Sequence, residues 1–247
     1  MNRQRSAPAI SLRDAVATVH RDTHWWRKCL GYGALAATGI GLPLAAGFVL
    51  ESLDNSRRGY PTPLPPWGDP SLRFLSGLLA LLIDFAFFIL PLLIGLLLIV
   101  CVGLALLLAG PPGAAATPLA LPFIALLAGA ASLTMFCCSV APAGRLRFAR
   151  EGRIEDAITA ETLRWVLGEP QRGVFLRARL ASLPAYLPAL IAASATYALA
   201  RLSFPGQSAA IAAASWLTLA ALVYAHLVVV QLYVAAERVI QQVRIGV

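Results

Sequence analysis

Five long apolar runs constrain this chain more than any other feature of its sequence. They cover residues 30–50, 74–110, 117–141, 181–200 and 208–236. A helix needs about 20 apolar residues to cross the hydrocarbon core of a bilayer, and each run is near or above that length. With 59% hydrophobic and only 13% charged residues, the chain is too apolar for a soluble domain. We therefore predict an all-α, polytopic integral membrane helix bundle in which residues 30–247 form a single membrane domain.

The first apolar run is interrupted by residues that break helices. Gly39, Gly41 and Pro43 lie near its centre, and glycine and proline at this density weaken or kink a helix. Two structures stay open for residues 30–50. Either the run crosses the membrane once, or it turns back at 39–43 as a re-entrant hairpin whose backbone is shielded by protein.

The second run is too long for one straight span. Residues 74–110 would reach about 55 Å as a continuous helix, well beyond a core of about 30 Å. Pro91 predicts a division into an oblique or interfacial helix near 71–90 and a true span near 90–110. Asp84 is the only carboxylate within the five runs. It is a functional candidate if it lies inside the membrane, whereas an oblique helix would place it among the headgroups, and both interpretations stay open.

The distribution of arginine predicts the orientation of the chain. The formal net charge is +8, and the arginines cluster in residues 1–29 and in the polar segment 142–180. The positive-inside rule places both segments in the cytoplasm. They share a side if the first run does not cross, which leaves about four full crossings of the cell membrane, with both termini and the polar segment 51–73 inside. Two crossings by residues 74–110 would have the same effect, but Pro91 leaves no loop for the reversal. Contact with anionic lipid headgroups accounts for the positive charge, so we expect membrane lipids rather than nucleic acid as partners.

Two polar segments have the pattern of interfacial amphipathic helices. Ser11 and Asp14 predict a helix start, and apolar residues then recur at three- and four-residue steps as far as about Lys28. A second helix is predicted from Ile154 to Leu167. Both suit the cytoplasmic membrane surface, and the second is alternatively a docking helix for a partner.

No residue pattern is typical of a catalytic, cofactor or metal site. The sequence contains no HExxH, GxSxG or paired-carboxylate arrangement. His20 and His24 lie four residues apart but lack an obvious third ligand. His226 and Gln231 form either a polar patch for a ligand or buried hydrogen bonds between helices. The cysteines, which form no CxxC motif, are Cys29, Cys101, Cys137 and Cys138. We therefore predict that the protein is not an enzyme and has no cofactor or metal.

The most distinctive stretch is the polar, proline-rich segment ESLDNSRRGYPTPLPPWGDPSLRFLSG, residues 51–77. The prolines at positions 61, 63, 65 and 66 favour an extended backbone of low entropy. Trp67 suits a membrane interface, and Asp69 followed by Pro70 suits the start of the next helix. A purely structural role, in which these residues fix the backbone between two helices, explains the segment. A ligand-binding loop is the alternative.

This stretch resembles the bacterial and archaeal membrane family called domain of unknown function 4013 (DUF 4013). The family shows a glycine-aromatic step, a basic helix, a Leu-Pro-x-Trp motif followed by an acid, a further glycine and a proline-terminated helix. The matching residues here are Gly47, Gly59, Leu64, Pro65, Trp67, Asp69, Gly77 and Pro91. A second similar segment contains Pro142, Arg147, Phe148, Ala149 and Gly152. The resemblance implies a polytopic membrane protein and assigns no activity, so the first set, together with Asp84, forms our candidate functional or motif residues.

Three functions are compatible with these observations. The first is a non-enzymatic scaffold or accessory subunit that presents its amphipathic helices to other membrane protein subunits. The second is a transporter or lipid-handling protein with a polar cavity near Asp84, built from discontinuous helices. This second hypothesis requires that Asp84 faces the interior of the bundle. An intramembrane enzyme ranks last because the catalytic motifs are missing.

Overall fold

The computed structural model describes residues 10–109 and 117–245, and every regular element in these ranges is helical. The α-helices are α1 Leu12–His20, α2 Trp25–Ala37, α3 Leu42–Arg57, α4 Pro70–Asp84, α5 Leu90–Ala109, α6 Thr117–Cys137, α7 Val140–Glu151, α8 Ile154–Ala157, α9 Ala160–Leu167, α10 Gln171–Ser182, α11 Leu187–Ala200 and α12 Gln207–Ile245. A π-helical segment, Phe85–Ile89, joins α4 to α5, and a 3-10 turn, Leu183–Tyr186, joins α10 to α11. The predicted all-helical class is confirmed for these residues.

Three to four of the helical segments are candidate membrane spans. The continuous helices Pro70–Ala105, Gln171–Ala200 and Gln207–Val243 are each long and apolar enough to cross a bilayer. A fourth candidate is the bent pair Pro122–Cys137 and Val140–Glu151, whose axes differ by 49°. The structure therefore has the helix lengths and composition of a polytopic membrane protein.

The first apolar run is broken into two helices that pack on each other. Helix α2 ends at Ala37 and α3 begins at Leu42. Gly39 has a φ of +73°, a backbone conformation that glycine adopts at little cost. Thr38 closes the turn, because its Oγ1 donates to Leu35 O at 2.7 Å and accepts from Gly41 N at 3.0 Å. With 13 and 16 residues, α2 and α3 reach about 20 and 24 Å, so each is shorter than a bilayer core.

The predicted division of the second run at Pro91 is wrong. The chain forms a single helix over Pro70–Ala105, and Pro91 lies in its interior. The π-helical segment directly before Pro91 explains the difference, since the amide of Leu90 donates to Phe85 O one residue further back than in an α-helix. A proline removes one backbone donor and crowds the carbonyl four residues earlier, and a wider π turn accommodates both effects.

The two predicted amphipathic helices are each split by a short turn. The Ser11 cap is present, with Asp14 N 3.4 Å from Ser11 Oγ, but α1 ends at His20 rather than near Lys28. The predicted boundary at residue 29 therefore falls inside α2. The second helix is interrupted at 158–159, where Thr159 caps α9 by accepting from Thr162 N, and it ends at Leu167 as predicted.

Asp22 holds the turn between α1 and α2. Its carboxylate accepts a hydrogen bond from His24 N at 2.8 Å and from Lys28 Nζ at 2.6 Å. Burial opposes ionisation of Asp22, but the bonds from Lys28 and the His24 amide outweigh it and lower the pKa of the carboxyl below its ordinary value. A salt-bridged turn therefore interrupts the helix that the apolar periodicity alone predicts.

Helix α12 is the centre of the bundle, since α1, α2, α3, α7, α10 and α11 all pack against it. Its inward face includes Leu227, Val228, Leu232 and Tyr233, which are fully buried. Helices α5 and α6 pack on each other as a separate pair. In the described residues, no extended contact joins α5 or α6 to α11 or α12. The α5–α6 pair and the α11–α12 pair both contact α7, through α6 and through α12.

Candidate functional site

A cavity of about 280 Å³ lies between α6, α7, α10 and α12, beside the π-helical segment Phe85–Ile89. Its polar lining consists of Asp84, Arg145, Arg179, Tyr186, His226 and Tyr233. Its apolar lining includes Phe87, Phe88, Ile89, Met135, Phe136, Val229 and Val230. The cavity thus combines several ionisable side chains with aromatic and aliphatic walls, which is the usual composition of a small-ligand site.

Asp84 forms an ion pair with Arg145 across the cavity wall. Arg145 Nε donates to Asp84 Oδ1 at 3.0 Å, and a terminal nitrogen of the same guanidinium bonds Asp84 Oδ2. The Arg145 side chain is 11% exposed and that of Asp84 is 34% exposed. A bidentate guanidinium–carboxylate pair fixes both side chains in orientation as well as in charge.

Close helix packing brings these two residues together. Gly144 precedes Arg145 on α7, and a Cβ added there would lie 2.9 Å from Ile83 Cγ2 and 3.2 Å from the Phe87 ring. Glycine at this position therefore lets α7 approach the end of α4 closely enough for the pair to form. The sequence contains this signal only as a Gly-Arg step, which periodicity does not distinguish from a surface turn.

Arg179 is the second guanidinium of the cavity and is 7% exposed. Its Nε donates to Phe136 O at 3.0 Å, and its guanidinium carbon lies 4.1 Å from the Phe136 ring centroid and 5.7 Å from that of Tyr233. Among residues 10–109 and 117–245, no carboxylate lies within 4.0 Å of this guanidinium. Two arginines and one carboxylate give the cavity lining a surplus of one positive charge when His226 is neutral.

The structure separates His226 from Gln231. His226 lines the cavity, and its Nδ1 lies 2.8 Å from Leu222 O, so that nitrogen carries the proton that bonds the carbonyl. Gln231 instead bonds the hydroxyl groups of Ser52 and Ser56 on α3, as a buried interhelical contact. Of the two readings that the sequence left open, interhelical bonding applies to Gln231 and a place in a cavity to His226.

The residues of the Leu-Pro-x-Trp motif fasten the 58–69 segment to α2. Trp67 stacks on Tyr32 with ring centroids 4.9 Å apart, and Tyr32 stacks on Phe48 at 4.1 Å. Leu64 is buried, and its carbonyl accepts from Lys28 Nζ at 3.4 Å. The motif therefore builds a three-ring stack that holds an extended segment in place.

Arg73, four residues beyond Asp69, ties this stack to α3. Its guanidinium bonds Glu51 at 2.7 to 2.8 Å and Pro66 O at 3.0 Å, and it also donates to Tyr32 OH. The Arg73 side chain is 6% exposed. Its bonds are satisfied by the protein itself, which indicates a structural role.

The sequence profile described as "Protein of unknown function (DUF4013)" matches residues 31–187, more than half of the chain. The chain belongs to the DUF4013 family. The match covers both the motif stack and the Asp84, Arg145 and Arg179 side of the cavity, while α12 lies outside it. Comparison with curated proteins and with solved structures gives no significant match.

The remaining motif residues of this DUF4013 protein shape the backbone. Gly47 and Gly77 face each other across the α3–α4 contact, where an added Cβ at Gly77 would lie 1.8 Å from Pro43 O. Gly59 has a φ of +82° in the turn after α3. Asp69 directly precedes α4, which starts at Pro70 as predicted; Asp69 has a φ of 36° and makes no side-chain cap bond. None of these residues lines the cavity around Asp84.

The two histidines that lie four residues apart, His20 and His24, contact different side chains. His20 stacks on Trp25 at 4.5 Å, and its Nε2 lies 3.2 Å from Tyr224 OH. His24 Nδ1 instead lies 3.1 Å from the hydroxyl of Thr23. Within the part of the chain that the structure describes, no group of three His, Cys, Asp or Glu side chains is arranged to hold a metal ion.

Proposed function

We propose that this DUF4013 protein is a non-enzymatic, lipid-handling membrane protein that binds an anionic amphiphile in the cavity around Asp84, Arg145 and Arg179. One observation carries the proposal. Arg179 is buried on the cavity wall without a carboxylate partner among the described residues.

The charge of Arg179 favours an anionic ligand. A buried charge without a counterion costs several kcal/mol, and an anionic headgroup in the cavity would offset that cost. Of the guanidinium nitrogens of Arg179, only Nε makes a hydrogen bond to the described residues. The two terminal nitrogens are therefore available to bind two oxygens of a carboxylate or phosphate.

The walls of the cavity favour a ligand with an apolar tail. The rings of Phe87, Phe88 and Phe136 and the side chain of Met135 surround the charged groups. A soluble anion would gain nothing from these walls, whereas an acyl chain would bury apolar surface against them.

Lipid retention tests this proposal. The protein is purified in mild detergent, and bound lipids are identified by native mass spectrometry for the wild type, Arg179→Gln and the control Arg177→Gln. Arg177 is exposed on the same helix and outside the cavity. Loss of a charge-assisted hydrogen bond worth about 1.5 to 3 kcal/mol should weaken anionic lipid binding by roughly 10- to 100-fold in Arg179→Gln only.

Two results would contradict the proposal. One is a wild-type protein that carries no anionic amphiphile and binds none when it is supplied. The other is an Arg179→Gln protein with an unchanged melting temperature that retains lipid as well as Arg177→Gln does. A stoichiometric protein partner in the same preparation would instead support the accessory-subunit hypothesis, which stays a prediction.

We also propose that the protein lies in the plasma membrane and that α2 and α3 form a re-entrant hairpin. The chain then makes four full crossings, and both termini lie in the cytoplasm. The short lengths of α2 and α3 support the hairpin. The arginine clusters in residues 1–29 and 142–180 support the orientation. In a cysteine-free background, Tyr60→Cys should react with an impermeant thiol reagent only after the membrane is opened. Phe204→Cys, in the turn between α11 and α12, should react in intact cells. Labelling of Tyr60→Cys from outside would contradict the hairpin.

A further inference from the structure

The cavity contains one acid whose position bears on ligand choice. Asp84 neutralises Arg145 through two hydrogen bonds, while Arg179 has no such partner among the described residues. The carboxylate is therefore part of the ligand site rather than a remote surface charge. It sets how much positive charge a ligand encounters.

We infer that the cavity selects amphiphiles whose headgroup has a single negative charge, a phosphodiester or a carboxylate, over phosphomonoester dianions, and that Asp84 is the specificity-determining residue. The inference rests on the proposed function, since it concerns the lipid that the same cavity binds.

The charge balance of the lining leads to this selectivity. Arg145, Arg179 and Asp84 sum to one positive charge, because His226, Tyr186 and Tyr233 are neutral in their ordinary protonation states. A monoanion brings the occupied cavity to zero net charge. A dianion leaves one uncompensated negative charge beside the Asp84 carboxylate, in surroundings made mostly of apolar side chains.

The geometry of the ion pair prevents a ligand from binding Arg145 while Asp84 stays paired. Both carboxylate oxygens engage the same guanidinium, so Arg145 presents its charge already paired. A ligand that recruits Arg145 for a second negative charge must break this bidentate pair and leave Asp84 without its partner. A ligand with one charge binds through the terminal nitrogens of Arg179 and leaves the pair intact.

Lipid competition measures the selectivity. Delipidated protein is titrated at pH 8 with phosphatidylglycerol, oleate, phosphatidic acid and phosphatidylcholine in detergent, with bound fractions read by native mass spectrometry. At this pH a phosphomonoester has close to two negative charges. We expect the wild type to bind phosphatidylglycerol and oleate at least tenfold more tightly than phosphatidic acid. The zwitterionic phosphatidylcholine should bind most weakly.

Three variants separate the charge of Asp84 from its effect on folding. Asp84→Asn raises the surplus to two positive charges, so its preference should shift toward phosphatidic acid. The double variant Asp84→Asn with Arg145→Gln restores a surplus of one and should regain the preference for monoanions. Glu155→Gln removes an exposed acid outside the cavity and should behave as the wild type.

The outcomes distinguish this inference from the proposed function. If wild-type protein binds no anionic lipid, the proposed function fails. If it binds both anionic classes equally, or if Asp84→Asn has the wild-type preference, the cavity still binds lipid but Asp84 does not select it. A double variant that keeps the altered preference of Asp84→Asn would also overturn the inference, because charge balance would then not be the cause.

Discussion

Replacing Gly77 by alanine should destabilise the protein through the α3–α4 contact. A Cβ at this position would lie 1.8 Å from Pro43 O and 2.5 Å from Gly47 N, whereas ordinary contact begins at 3.4 Å. The obstructing atoms belong to the backbone, so the helices would have to separate by about 1.5 Å. Helix α3 is also held by α2, α7 and α12 and is not free to move alone.

The magnitude follows from two opposing effects. Alanine favours a helix over glycine by about 1 kcal/mol, while overpacking of a tight contact costs about 1 to 3 kcal/mol and more when backbone must move. The clash here is at the severe end, so we expect a net loss of about 2 kcal/mol. For a chain of this size that corresponds to a decrease in melting temperature of about 4 to 8 °C.

Thermal unfolding in detergent, followed by size-exclusion chromatography of the heated samples, measures this change. Gly103→Ala is the matched control, since Gly103 lies in α5 and, among the described residues outside its own helical turns, no atom lies within 4 Å of its Cβ position. The control should be as stable as the wild type or slightly more stable. Equal melting temperatures for Gly77→Ala and Gly103→Ala would refute the argument that the glycine is needed for close approach of the two helices.

Two other predictions concern the segments that the motif and the N-terminal turn hold in place. Trp67→Ala removes one end of the three-ring stack and should expose the 58–69 segment to limited proteolysis, whereas Trp26→Ala, at an exposed position, should leave the cleavage pattern unchanged. Asp22→Asn should lower the melting temperature at pH 7, because the lowered pKa of Asp22 means that its ionised form stabilises the fold. In the wild type that contribution to stability is present above the ordinary pKa of 3.8 and is lost as the pH falls below it. Melting temperatures of both proteins measured from pH 3 to 7 test this. An equal difference between the two proteins at every pH would contradict the role of Asp22.

The features that the sequence predicted correctly depend on residues close together in the chain. Apolar runs identify membrane helices, and the glycine-proline cluster at 39–43 marks the break between α2 and α3. Ser11 predicts the start of α1 because a cap acts on the next turn. The rule that proline breaks a helix failed at Pro91, because the π-helical segment before it keeps the helix continuous.

The sequence pointed to a polar cavity near Asp84, but the other charged residues of the cavity were not predictable, because they come from distant parts of the chain. Asp84 and Arg145 are 61 residues apart, and Arg179 and the Phe136 carbonyl are 43 apart. In an arginine-rich segment, neither arginine has a sequence signal that marks it as buried. Periodicity places such residues on a polar surface, and only the tertiary packing of α7 and α10 turns them inward.

The two groups of residues therefore have different roles in this family member. The motif residues build contacts within the protein: Trp67 stacks on Tyr32, and Gly77 packs on α3. These contacts fix the position of α4, and Asp84 lies at the end of that helix, two turns beyond Gly77. The motif thus belongs to the packing of the fold, while the ligand chemistry that we propose belongs to the Asp84–Arg145 pair and to Arg179. Relatives that share the motif but differ at these three positions would be expected to share the fold and bind different ligands.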